Sequence, residues 1–144
     1  MSPPVFEDNT SIRDGERLFR RVHISLIVRD DDTGLARVSS AVFKDKELSV
    51  NIESILLDSG SSAESCLQDP RAQKLISITA QNARQLNQAI CHDPLPDNLS
   101  HGLVYGSKNA RPIHDGLRAA STWVIPTSAP RYEEIESERR VLGI

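Results

Sequence analysis

The spacing of apolar residues changes several times along the chain, and each change predicts an element. In "RLFRRVHISLIV" (17–28) alternation puts Leu18, Val22, Ile24, Leu26 and Val28 on one face of an extended segment, with Arg20 among them. Phe19, Arg21, His23 and Ser25 fall on the other face. The β-branched content and the following "DDDTG" turn predict two short strands broken near His23. "LARVSSAVF" reads as the partner strand of a hairpin, ended by "KDKE". In "LSVNIESILLDSG", Val50, Ile52, Ile55, Leu56 and Leu57 follow helical spacing, which predicts a helix capped by Ser49 or Asn51 and terminated at Gly60.

A short helix is expected at "SSAESCLQD", stopped by Pro70. "KLISITA" then predicts a strand, "AQNARQLNQAI" a short helix and "HGLVYG" another strand. "ARPIHDGLRAAS" suits a helix with Pro112 in its first turn, and "TWVIP" a last strand. Between the third helix and its strand, Pro94 and Pro96 in "DPLPDN" exclude regular pairing, and Asp97 with Asn98 favours a turn. These elements describe an α+β fold: a small mixed or antiparallel sheet with several short helices. Residues 1–12 read as a flexible leader, 13–126 as a single domain, and 127–144 as a linker followed by a C-terminal amphipathic helix.

Composition narrows the function classes. The chain has 144 residues, 38% hydrophobic and 26% charged, enough for one core without disulfides or structural metals. A net charge of −3 argues against general binding of nucleic acid, which draws on clustered Lys and Arg. The two cysteines, Cys66 and Cys91, form no CxxC pair, so the sequence suggests reduced cytosolic thiols rather than a disulfide framework or a thiolate metal site. No apolar run is long enough to span a bilayer, and "MSPPVFEDNT" lacks the form of a secretory signal, so a cytoplasmic location without membrane attachment is expected.

Candidate chemistry centres on His101, which opens the strand "HGLVYG" beside the Pro-rich loop and shares its face with Tyr105. An imidazole titrates near neutrality and can act as a general acid or base. His23 is its candidate catalytic partner. Arg21, with Ser39 on the neighbouring segment, offers donors for a phosphate or carboxylate, and Lys108 in "YGSKNARP" sits in a loop leading from strand to helix, an arrangement that favours anions. Each feature also has a plain structural reading as a turn, a cap or a solvated strand face. No metal ligand set and no cofactor are assigned.

Taken in order, "LFRRVH", "SSAVFKD", "LSV" and "DPLPDNLSHGLVYG" resemble a group of small uncharacterised bacterial proteins carrying RRxH, SSAxF, LSV and DPxPxNxxHxxVxG elements. The resemblance covers residues 17–124 and implies a bacterial cytosolic setting. The order of elements also looks like an ADP-ribosyltransferase-type split sheet, which would give roles to Arg20 or Arg21, Ser39 or Ser40, and His101; no glutamate stands near His101, where such enzymes commonly have one. Two functions are expected. The first is a binding or accessory protein that contacts a protein partner through residues 131–142. The second is a small enzyme acting on a phosphate-bearing or nucleotide-like substrate through His101, His23 and Arg21.

Overall fold

The computed structural model describes residues 6–144. Its strands are β1 (Arg17–His23), β2 (Ile27–Arg29), β3 (Ala36–Val38), β4 (Glu47–Ile52), β5 (Gln73–Thr79), β6 (Ala89–His92), β7 (His101–Tyr105) and β8 (Thr122–Ile125). The helices are α1 (Glu53–Asp58), α2 (Ala80–Arg84), α3 (Arg111–Ala120) and α4 (Tyr132–Leu142). Six strands form one sheet in the order β6-β7-β4-β1-β5-β8, and β2 pairs with β3 alone. Every pairing is antiparallel, so the α+β expectation holds and the sheet is antiparallel rather than mixed.

Register decides what each face carries. Leu18 lies opposite Ile52 and Ile78, and Val50 opposite Gly102, so one face gathers Leu18, Val22, Leu48, Val50, Ile52, Ile76, Ile78, Ile90 and Val104. Phe43, Leu117 of α3 and Ile135 of α4 cover that face and complete the main core. The opposite face carries Phe19, Arg21, His23, Ser49, Asn51 and His101, and is covered at one end, where Leu56 and Cys66 pack on Phe19 and Leu75. At Gly102 an added Cβ would lie 2.8 Å from the Cys91 carbonyl oxygen and 2.9 Å from Ile52 Cδ1. The absent side chain is what lets the neighbouring strands close up there.

Several expectations change. The helix predicted over "LSVNIESILLDSG" is a strand followed by a helix: Leu48, Val50 and Ile52 are buried in alternation with Glu47, Ser49 and Asn51, and helical geometry begins at Glu53. Pairing with β7 on one side and β1 on the other resolves an apolar pattern that fitted both periods. "SSAVF" is no strand; Ala36–Val38 pairs with β2, then Ser39 caps a 3-10 turn by accepting the Ala41 N–H at 3.2 Å. Of the expected leader, residues 1–5 lie outside the described residues. The rest runs along β6: Asn9 N–H donates to the Ile90 carbonyl at 2.8 Å, Asp8 pairs with Arg84 at 3.1 Å, and Ile12 is buried.

The C-terminal helix packs on its own domain. Ile135 is fully buried, Lys74 pairs with Glu138 at 3.0 Å, and the Arg139 guanidinium donates to the Ile24 and Ile27 carbonyls and to the Tyr132 hydroxyl. Among the described residues no helix is long and apolar enough to cross a membrane.

Candidate functional site

β1 pairs with β5 along its whole length, but its ladder with β4 stops at Phe19–Asn51. Beyond that point Arg20, from the core side, donates Nη1 to the Ser49 carbonyl at 3.1 Å and stands 3.6 Å from Asp45. Its burial lowers the guanidinium pKa, which makes the carbonyl and Asp45 useful partners. Over this split, on the uncovered face, lies a cleft of about 910 Å³ walled by α1 and the 61–68 segment on one side and the 95–100 loop on the other. Arg21, Ser49, Asn51, Asn98, Ser100 and His101 line it.

His101 is held at both ring nitrogens. Nδ1 lies 2.8 Å from the Asp93 carbonyl oxygen and 3.3 Å from Asp93 Oδ2. A carbonyl can only accept, so Nδ1 carries the proton of the neutral ring and Nε2 presents a lone pair. That lone pair faces the Ser49 hydroxyl at 3.2 Å. The order hydroxyl, imidazole, carboxylate is the arrangement in which an oriented histidine accepts a serine proton. Ser49 is exposed to the cleft, while the His101 side chain is 14% exposed and Asp93 43%.

Local sequence explains how the loop places these groups. Asp93 N–H donates to the His101 carbonyl at 3.0 Å, which closes the loop next to the ring, and His92 Nε2 donates to the Leu99 carbonyl at 2.8 Å. Leu95 and Asn98 form the tip through reciprocal backbone bonds of 3.0 Å. Asn51 Oδ1 on β4 accepts from Asn98 Nδ2 at 2.8 Å and from Ser100 Oγ at 2.9 Å, so the loop is fastened to the strand that carries Ser49.

The structure distributes the expected site residues unevenly. Arg21 and His23 line the same cleft as His101. Arg21 occupies the next position after Phe19 on this face, as Ser49 does before Asn51, and its Nη1 donates to the Cys66 carbonyl at 3.2 Å. His23 stands two strands across and four residues along from His101, roughly 17 Å between Cα atoms at ordinary strand spacing and rise. Its Nδ1 accepts the Ser25 N–H at 3.1 Å and caps the 3-10 turn after β1. His23 is therefore not a proton-transfer partner of His101.

The other three residues lie elsewhere. Ser39 is the cap described above. Tyr105 shares the His101 face but sits at the far end of β7, against Phe6 at 5.2 Å and Lys46 at 5.5 Å. Lys108 is 1% exposed, its ammonium surrounded by the carbonyls of Val104, Gly106 and Lys46 at 2.7, 3.0 and 3.1 Å. Burial pushes its pKa down to about 8. Of the split-sheet residues, Arg21 and His101 line the cleft, whereas Arg20 is on the core side, Ser39 is a cap and Ser40 donates to Asp115 on α3 at 2.6 Å.

Sequence reasoning missed Ser49 and Asp93. The signal for Ser49 was the alternation of Leu48, Val50 and Ile52, which exposes the residues between them. Asp93 gave no signal beyond a turn preference, because its role depends on the loop folding back on β7. The Cys66 thiol at the closed end of the cleft is pushed up to about 11 by burial, which keeps it a neutral packing group. Among the described residues no group of three or more His, Cys, Asp or Glu side chains is arranged to hold a metal ion. No family model, curated protein or solved structure matches the chain.

Proposed function

We propose that the cleft hydrolyses a small ester, with Ser49 as nucleophile, His101 as general base and Asp93 as the group that holds the imidazole. The observation that carries this reading is the Ser49 Oγ to His101 Nε2 contact of 3.2 Å, made by a ring whose other nitrogen is fixed as the donor to Asp93. Ser49 Oγ attacks the acyl carbon while its proton moves to Nε2. The C–O bond to the leaving alcohol breaks as that oxygen takes the proton back from the imidazolium. Water then attacks the acyl-serine, its proton passing through Nε2 to Ser49 as the acid leaves.

Arg21 gives the cleft a preference for substrates with a negative group. One of its five N–H donors is used on the Cys66 carbonyl, and the exposed guanidinium retains others for a carboxylate or phosphate. The surrounding Ser49, Asn51, Asn98 and Ser100 suit a polar rather than a greasy acyl group.

A fluorophosphonate probe followed by intact-mass and peptide analysis tests the nucleophile. One equivalent of adduct on Ser49, abolished by Ser49→Ala and strongly slowed by His101→Gln, supports the reading. Adduct spread over several serines, or none, refutes it.

A second reading, an accessory protein contacting a partner through residues 131–142, is favoured by one observation: Val141 is 85% exposed and Ile144 54% exposed. Its test is Val141→Asp in a partner pull-down; unchanged recovery removes it.

A further inference from the structure

On the core side of the sheet, the β2–β3 hairpin, the C-terminal end of α3 and the edge strand β8 enclose a second cleft of about 290 Å³. Arg37 of β3, Arg118 of α3 and Trp123 of β8 line it, with Leu35, Ala119 and Ala129. The Nε atoms of both arginines are buried and have no hydrogen-bond partner among the described residues. Two arginine side chains thus line one small cleft, each with a buried donor left unpaired, which is costly because that donor is removed from water.

The nearby acids are partly engaged by other groups, although Asp115 also feels the Arg118 charge. Asp115, one turn earlier on α3, accepts from Ser40 at 2.6 Å and pairs with Arg111 at 3.3 Å. Asp30, at the rim of the cleft, accepts the Asp32 N–H at 2.9 Å and so closes its own turn. The C-terminal carbonyls of α3 favour a cation at Arg118, but they do not reach its Nε, and Arg37 has no helix end to face.

An anion entering the cleft would find donors on both arginines through their outer guanidinium N–H groups. A carboxylate is satisfied by one guanidinium; a tetrahedral dianion presents oxygens to two. The indole of Trp123 with Leu35, Ala119 and Ala129 forms an apolar wall next to the charged pair. We propose that this cleft binds a phosphate monoester whose small, flat organic group lies against Trp123. It is separate from the ester cleft, since Trp123 pairs with Ile76 on the core face and His101 stands on the other.

Trp123 is the only tryptophan in the chain, so its fluorescence reports this cleft alone. Phenyl phosphate should change the emission saturably and raise the melting temperature of the unaltered protein, as a ligand specific to the folded state must. Arg37→Gln and Arg118→Gln should each weaken binding by about tenfold or more, and the double variant should show no melting shift. Phenol at the same concentrations should produce neither effect. A response to phenol equal to that to phenyl phosphate, an undiminished response in the double variant, or no saturable change with the unaltered protein would each overturn the proposal.

Discussion

Replacing Asp93 with Asn discriminates between two ways of holding His101 in the proposed hydrolysis. Where a carboxylate alone fixes the tautomer, the amide can turn the ring and the rate falls by about 10⁴. Here the Asp93 backbone carbonyl, at 2.8 Å from Nδ1, survives the substitution and continues to hold the proton on that nitrogen. What Asp93→Asn removes is the attraction between a carboxylate 3.3 Å away and the imidazolium formed in the transition state. With Asp93 43% exposed, an effective dielectric of 40–80 gives about 1.3–2.5 kcal/mol for that separation. The rate of ester cleavage should therefore fall by roughly ten- to seventyfold. The assay is kcat/KM on a chromogenic ester with an anionic acyl group, measured beside Ser49→Ala as the floor. A fall to the Ser49→Ala level would show that the carbonyl does not hold the tautomer. An unchanged rate would show that Asp93 takes no part.

Other consequences concern stability. The Lys108 pKa is lowered from 10.5 to about 8, so between those values the unfolded chain binds more protons and stability rises with pH. Relative to Lys108→Met, the unaltered protein should gain up to about 3 kcal/mol across that window in urea titrations; a flat or falling difference would refute the assignment. Gly102→Ala should cost about 1–3 kcal/mol, because its Cβ would be forced to within 2.8 Å of the Cys91 carbonyl, and denaturation midpoints within error of each other would contradict the packing described. Ile135→Ala should cost about 2–5 kcal/mol, since Ile135 is fully buried in the main core. A thermal melt indistinguishable from the parent would mean that α4 is not docked there in solution.

Strong local patterns were legible from the sequence. In "RLFRRVH" alternation puts Leu18 and Val22 on one face, and the structure makes it β1 with both buried and Arg21 and His23 exposed. Phe19 on the second face is buried under Leu56 and Cys66. The break after His23, the β7 alternation of His101 with Gly102, and the helices over Arg111–Ala120 and Tyr132–Leu142 follow from similarly local signals. "LSVNIESILLD" was not legible, because its apolar residues fit a strand at one end and a helix at the other, and neighbouring strands decide where one gives way to the other. That single misreading hid Ser49 inside a supposed helix cap and with it the partner of His101.

By itself, then, the sequence determined the α+β character and the buried side of β1, and it singled out His101 in "DPLPDNLSHGLVYG". Those properties arise from neighbours along the chain. After the break at His23 the alternation reverses, so that Ile27 is buried and Leu26 exposed. Which groups His101 would meet was decided by the sheet order β7-β4-β1, which brings Ser49 from 52 residues away to its Nε2 and leaves His23 out of reach. The same is true of Lys108, whose charge looked available in a polar loop until three backbone carbonyls closed around it. Strand order and loop closure are set by burial summed over the whole chain, so the chemistry of a residue far from its partners is written only in the folded arrangement.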